Sequence, residues 1–192
     1  MDKLNSKAAL REKMLAVLKA IPPAQRQSDS EKICARLEQQ EFFKTARAIL
    51  FFAPLPEEAN LWPLLPKALA AGKMAALPCF DAENQRYTPR RVSDLHVEIL
   101  PGRFGIREPA PACLEIPPDD LDLVLVPGVA FDRHGRRLGR GKGFYDRLLQ
   151  NTRVIKCAVA FDEQMVEAIP AEAHDVRMDF VVTPTQCLEP VS

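Results

Sequence analysis

Leu121-Asp122-Leu123-Val124-Leu125-Val126-Pro127-Gly128-Val129-Ala130-Phe131-Asp132 is an apolar, β-branched run closed by Pro-Gly. It reads as a buried strand ending in a turn, because a strand covered on both faces has no reason to alternate polar with apolar residues. A little further on, Leu138-Gly139-Arg140-Gly141-Lys142-Gly143-Phe144-Tyr145-Asp146 interleaves three glycines with two cations, directly ahead of an aromatic pair and a carboxylate. Glycine permits positive φ and lets a ligand approach with no Cβ in the way, so consecutive N–H groups can line one anion-binding concavity. Residues 144–150 read as a helix whose free N-terminal donors face the same anion, and Arg140 and Lys142 add full charges. Strand, polar loop, glycine nest and helix is the order in which open α/β sheets bind ligands at the carboxyl ends of their strands. The common nucleotide loop G-x-x-x-x-G-K-[ST] is absent, as is the dinucleotide fingerprint G-x-G-x-x-G. A plain flexible turn is the competing explanation of the glycine triplet.

Working outward, Ser6 is placed to cap a helix whose apolar stripe is Leu10, Met14, Val17, Leu18 and Ile21 and which stops at Pro22-Pro23. A second helix is expected to start within 28–30, with Ile33 and Leu37 inward. Residues 48–53 form a short apolar run ended by Pro54, which predicts a buried strand. A helix is predicted over 61–71, stopped by Gly72, then a strand over 74–78. Residues 81–118 are Pro-rich and irregular, with a hairpin around 86–92 and a turn at 102–106. Strands over 154–160 and 180–183 follow the glycine loop. Alternating strands and helices predict an α/β fold, with a mainly parallel central sheet and helices on both faces.

The 192 residues suit one core and predict a single domain over 1–192. With 26 basic against 26 acidic residues, no global charge drives the chain toward nucleic acid or an anionic membrane. Locally the balance fails: Arg133, Arg136, Arg137, Arg140, Lys142 and Arg147 face only Asp132 and Asp146, which suits a polyanionic ligand. Five scattered cysteines without a C-x-x-C pair point to a reducing compartment and away from zinc. No secretory leader or membrane helix is recognisable, so a cytoplasmic protein is expected.

Asp146, in the first turn after the glycine loop, and Asp179, at the mouth of the last strand, are candidate oxygen ligands for Mg²⁺. Charge compensation at a helix N-terminus explains Asp146 equally well, and a salt bridge or turn explains Asp179. Lys7 and Arg11 share one helix face, where like charges repel mildly unless an anion sits between them. His134 and His174 lack a second histidine at metal-ligand spacing. No G-x-S-x-G elbow or H-E-x-x-H pair occurs.

The segment from Val126 to Asp132, followed by Gly135-x-Arg137-Leu138-Gly139-Arg140-Gly141-Lys142-Gly143-Phe144-Tyr145-Asp146, resembles the signature of the 5-formyltetrahydrofolate cyclo-ligase family. The resemblance extends to Lys7-x-x-Leu10-Arg11, Glu58-Ala59-Asn60-Leu61, Gly105-Ile106-x-Glu108-Pro109, Ala160-Phe161-x-x-Gln164 and Asp175-x-x-x-Asp179. It implies a three-layer α/β/α fold and ATP with Mg²⁺, acting on 5-formyltetrahydrofolate to give 5,10-methenyltetrahydrofolate, ADP and phosphate through a phosphorylated formyl group. It further implies that Lys7, Arg11, Arg137, Leu138, Gly139, Arg140, Gly141, Lys142, Gly143, Phe144 and Tyr145 bind ATP, with Arg140, Lys142 and Tyr145 at the chemistry. Asp146 and Asp179 would hold Mg²⁺. Glu58 and the backbone of 140–144 would contact the folate, with Glu57 as the other possible register. Phe144 stands where a tyrosine is frequent in the family. A monomer free of nucleic acid and membrane is expected. The alternatives are a nucleic-acid-binding module built on the 133–147 cations, which salt would weaken steeply, and a sugar-phosphate or acyl-CoA enzyme on a similar scaffold.

Overall fold

The computed structural model describes residues 6–102, 105–150, 152–170, 172 and 175–190. In a seven-stranded sheet, β1 (Ala48–Leu50) is flanked by β2 (Met74–Asp81) and by the central strand β6 (Leu123–Val126). Beyond β6 come β9 (Ile155–Val159), β10 (Phe180–Val182) and β11 (Cys187–Leu188), and beyond β2 comes β3 (Arg86–Val92). The inner strands β10, β9, β6, β1 and β2 pair in parallel, and the two edges are antiparallel. This is a mixed, mostly parallel α/β fold.

Side chains alternate across the strands, and β1 shows the division: Ile49 faces one core, whereas Ala48 and Leu50 face the other. The first core receives α1 (Lys7–Ala20), α2 (Pro23–Gln39), α3 (Glu41–Thr45) and α4 (Leu64–Ala70). The second face carries Leu149 of α5 (Phe144–Leu149) and the non-helical residues Ile116, Leu121 and Met178. The layering is therefore uneven, with helix dense on one side and mostly irregular chain on the other.

Ser6 caps α1 by accepting the Ala9 N–H at 3.2 Å. The second helix starts well before 28, because Pro23 occupies its first turn, where a missing N–H costs nothing. No side chain caps it, so packing secures it. Ile33 and Leu37 are completely buried, each contributing about 2 kcal/mol. The strand expected over 48–53 leaves the ladder after Leu50, although Phe51 still donates its N–H to Ala76 at 2.9 Å. The strand expected over 74–78 continues to Asp81, because β3 pairs along its whole length. The chain after β3 forms a small sheet of β4 (Ile99–Pro101) and β5 (Arg107–Pro109). Of the turn expected at 102–106, Arg103 and Phe104 lie outside the described residues. Among the described residues, no helix is long and apolar enough to cross a membrane.

Candidate active site

The buried run after β6 turns at Pro127-Gly128 and re-forms as β7 (Ala130–Phe131), which pairs antiparallel with β8 (Arg137–Leu138). From β8 the chain enters the glycine loop. Gly141 adopts φ 94° and Gly143 φ 64°, conformations that favour glycine. Gly143 leads directly into α5, which is only six residues long. The donors available to an anion are therefore mainly the loop's own N–H groups rather than the end of a long helix dipole. Arg147 holds the loop from outside, donating to the carbonyls of Lys142 (3.1 Å) and Gln85 (3.3 Å) while its guanidinium lies 5.1 Å from the Phe144 ring. Phe144 also meets Phe80 and Tyr87 edge to face. This ties α5 to the β2–β3 hairpin across the mouth of the sheet.

A cleft of about 490 Å³ opens at the carboxyl ends of β1, β2 and β6, lined there by Phe52, Ala53, Pro78, Pro127 and Gly128. The expected residues Lys7, Arg11, Glu58, Arg137, Leu138, Gly139, Arg140, Gly141, Lys142, Gly143, Phe144, Tyr145 and Asp146 all line it. Lys7 and Arg11 are not left to repel each other. Arg11 donates from Nε to the Gly139 carbonyl at 2.8 Å, and Lys7 Nζ binds Asp175 at 2.7 Å and Glu172 at 2.9 Å. Burial acts to lower the Lys7 pKa, but Asp175 and Glu172 outweigh it and hold the ammonium above its ordinary value. Arg137, nearly buried, bonds Asp146 Oδ1 at 2.6 Å and lies over the Tyr145 ring at 5.7 Å.

Glu58 forms the opposite wall. Its Oε2 accepts the Leu55 N–H at 3.1 Å, and Arg140 approaches Oε1 at 3.4 Å. Burial pushes its carboxyl pKa up, against the pull of the Leu55 N–H and the Arg140 charge. Glu57 reaches Arg140 only at 3.7 Å and does not line the cleft. Burial, then the Glu58 charge, push the Tyr145 phenol far above its usual range, so it stays protonated.

Asp179 is not brought to the cleft. It immediately precedes β10, at the opposite end of the parallel strands, accepting the Lys156 N–H at 2.8 Å with the Lys156 ammonium at 3.3 Å. The expected pairing of Asp179 with Asp146 is therefore corrected: the carboxylate that faces the cleft is Asp175. Three residues of non-helical chain lie between the two, and the four steps from one to the other span up to about 14 Å. Asp175 and Glu172 were both missed as site residues. The available signal was Lys7, whose charge on a half-buried helix face needs an acidic partner. Tyr87 and Ile106 also line the cleft without a motif to announce them. His174 lies outside the described residues.

The basic cluster is largely consumed inside the molecule, since Arg137 pairs with Asp146, Arg140 with Glu58, and Arg147 with loop carbonyls. It does not form an open stripe of the kind that follows a nucleic-acid backbone. The cleft instead offers five cations and four carboxylates facing one another, with an apolar wall: a site for a bound anion and an organic ring system.

Residues 3–184 match the model of the 5-formyltetrahydrofolate cyclo-ligase family. A 5-formyltetrahydrofolate cyclo-ligase of Mycolicibacterium smegmatis is 33% identical over 93% of this chain and 94% of the relative. One of Escherichia coli K12 is 33% identical over 89% and 96%. The solved structure of Aquifex aeolicus 5,10-methenyltetrahydrofolate synthetase superposes with a TM-score of 0.86 at 34% identity, covering 97% of this chain and 93% of that one.

Proposed function

The chain belongs to the 5-formyltetrahydrofolate cyclo-ligase family, and from that premise we propose that it converts 5-formyltetrahydrofolate to 5,10-methenyltetrahydrofolate with ATP as cosubstrate and Mg²⁺ as metal. The observation that supports this most is the meeting, in one cleft, of a positive-φ glycine loop with the largely buried Glu58 side chain, joined by Arg140. One side suits a polyphosphate and the other a polar heterocycle.

The formamide oxygen is a poor leaving group. Transfer of the γ-phosphoryl to it, with cleavage of the bond to ADP, makes it a good one. N10 of the folate then attacks the formyl carbon, the C–O bond breaks, phosphate departs and N10 gives up its proton. Such chemistry asks a protein for placement and charge neutralisation rather than for a nucleophile. Lys7, Arg11, Arg137, Lys142 and the loop N–H groups would bind the phosphates. Arg140, sited between the loop and Glu58, faces both substrates, and Tyr145 keeps its proton beside them.

Asp146 and Asp175, hard oxygen donors facing the phosphate side, fit a magnesium ion. No group of three or more metal-ligating side chains stands together among the described residues, so such an ion would complete its shell with phosphate and water. Held by Asp146 and Asp175, Mg²⁺ would supply charge neutralisation for phosphoryl transfer. We infer a cytoplasmic reaction, with the chain acting as a monomer and without nucleic acid; the five unpaired thiols are in keeping with that compartment.

The direct test is the near-UV absorbance of the methenyl-folate chromophore, with purified protein, 5-formyltetrahydrofolate and Mg²⁺, with and without ATP. Absorbance growing only with ATP is expected. Folded protein that binds ATP and yields no chromophore would mean the acceptor is another molecule.

Glu58→Gln tests the folate wall. Folate affinity is expected to fall about tenfold, as for a charged hydrogen-bond partner lost from a buried site, while ATP affinity stays within about twofold. Equal loss of both would end the division of roles. The same variant has a pH signature. Because the folded carboxyl is raised, the wild type holds more protons folded than unfolded between the ordinary carboxylate value and the raised one. Stability therefore falls as pH rises through that window, and melting curves of Glu58→Gln should lose that dependence.

A further inference from the structure

Asp132 is fully buried, does not line the cleft, and sits at the turn between β7 and β8. A carboxylate in such a place needs its acceptors filled. Oδ1 accepts the N–H groups of His134 (2.9 Å) and Arg136 (3.0 Å), which shapes the turn that opens into the glycine loop. Oδ2 accepts the N–H of Ile169 at 3.0 Å, 37 residues away, on the chain that continues to Glu172 and Asp175. The same hairpin takes up this chain elsewhere too. Val166 donates to the Phe131 carbonyl at 2.9 Å, Met178 to that of Gly135 at 2.8 Å, and Arg136 Nη1 to that of Ile169 at 3.4 Å.

We propose that Asp132 is a positioning residue for the nucleotide side of the cleft, tethering the segment through Ile169 so that Asp175 and Glu172 meet Lys7 in register with the glycine loop; this rests on the nucleotide reading given above. The carboxylate is needed because both of its oxygens accept. An asparagine has one acceptor, and if its oxygen serves the turn, its amide faces the Ile169 N–H, donor against donor. Asp132→Asn should therefore keep the turn and release the tether.

The experiment is calorimetric titration of Asp132→Asn with ATP and Mg²⁺ in the absence of folate, and separately with 5-formyltetrahydrofolate. ATP affinity is expected to fall about tenfold, the scale of lost support behind a ligand group, with folate affinity within about twofold. KM for ATP should rise while KM for folate stays, and the amides of Val166, Ile169 and Met178 should exchange faster. In an Asp175→Asn background the same change should add less than about twofold, because the tether acts through that residue. A loss of melting temperature and kcat with both affinities unmoved, or moved equally, would show a merely structural role and overturn the proposal. Arg136→Met removes the partly exposed arm of the tether and guards against misfolding of the first variant. It must show the same selective loss in smaller degree, and an unchanged ATP affinity in it overturns the proposal. Wild type that fails to bind ATP would overturn the nucleotide reading and this inference with it, whereas wild type and Asp132→Asn that bind ATP equally overturn the inference alone.

Discussion

Asp146→Asn is expected to lower kcat by about 10²–10³-fold, the scale of losing one group that meets transition-state charge, with only a few degrees' change in melting temperature. Asparagine is the informative substitution because Asp146 has two tasks. Its Oδ1 receives Arg137 at 2.6 Å, and the Arg137 side chain is only 5% exposed. The amide oxygen of asparagine keeps that partner while removing the charge a metal needs. Alanine would leave the guanidinium buried and unpaired, at a cost of about 3–5 kcal/mol, and would mix loss of fold with loss of chemistry. Turnover measured across a Mg²⁺ titration, beside a thermal melt, separates the two. Near-normal kcat at ordinary Mg²⁺ would remove Asp146 from the metal site.

Gly141→Val is expected to weaken ATP binding by about 30–100-fold while hardly changing the melting temperature. Space is not the difficulty: a Cβ at Gly141 meets the Arg11 guanidinium at 3.6 Å, an ordinary contact. The difficulty is φ 94°, where a β-branched residue is a true outlier. Holding valine there costs about 1–3 kcal/mol, so the exposed loop will relax to another conformation and turn its N–H groups out of the nest. Fold stability is spared because Gly141 packs against no core residue. Calorimetric titration with ATP checks this, and an unchanged affinity would mean that the phosphates bind elsewhere.

How much of this was legible in the chain depended on whether the deciding forces were local. The strand ending at Val126 and the glycine loop were readable because burial and backbone freedom write themselves into adjacent residues. The start of α2 was misplaced because Ser28 and Ser30 look like caps; both lie inside the helix, and Ser30 spends its hydroxyl on the Arg26 carbonyl at 2.6 Å. The β7–β8 pair was hidden because two-residue strands carry no periodicity. Asp175 and Asp179 could not be ranked by sequence, since their difference lies in which end of the sheet each reaches, and that is set by the path of the chain between them. Asp132 is quiet for the same reason: its partner Ile169 is apolar by side chain and offers only a backbone N–H.

The pairing of Lys7 with Asp175 joins positions 168 apart. A cleft closed by the two far parts of a chain is assembled in a definite order during synthesis. The helix bearing Lys7 leaves the ribosome well before its acidic partners, which follow only after most of the sheet strands between them have emerged. Binding competence should therefore arrive late and all at once rather than growing with length. A nascent chain stalled before residue 170 would carry the glycine loop and most of the core, yet lack the counter-charges that hold α1 against it.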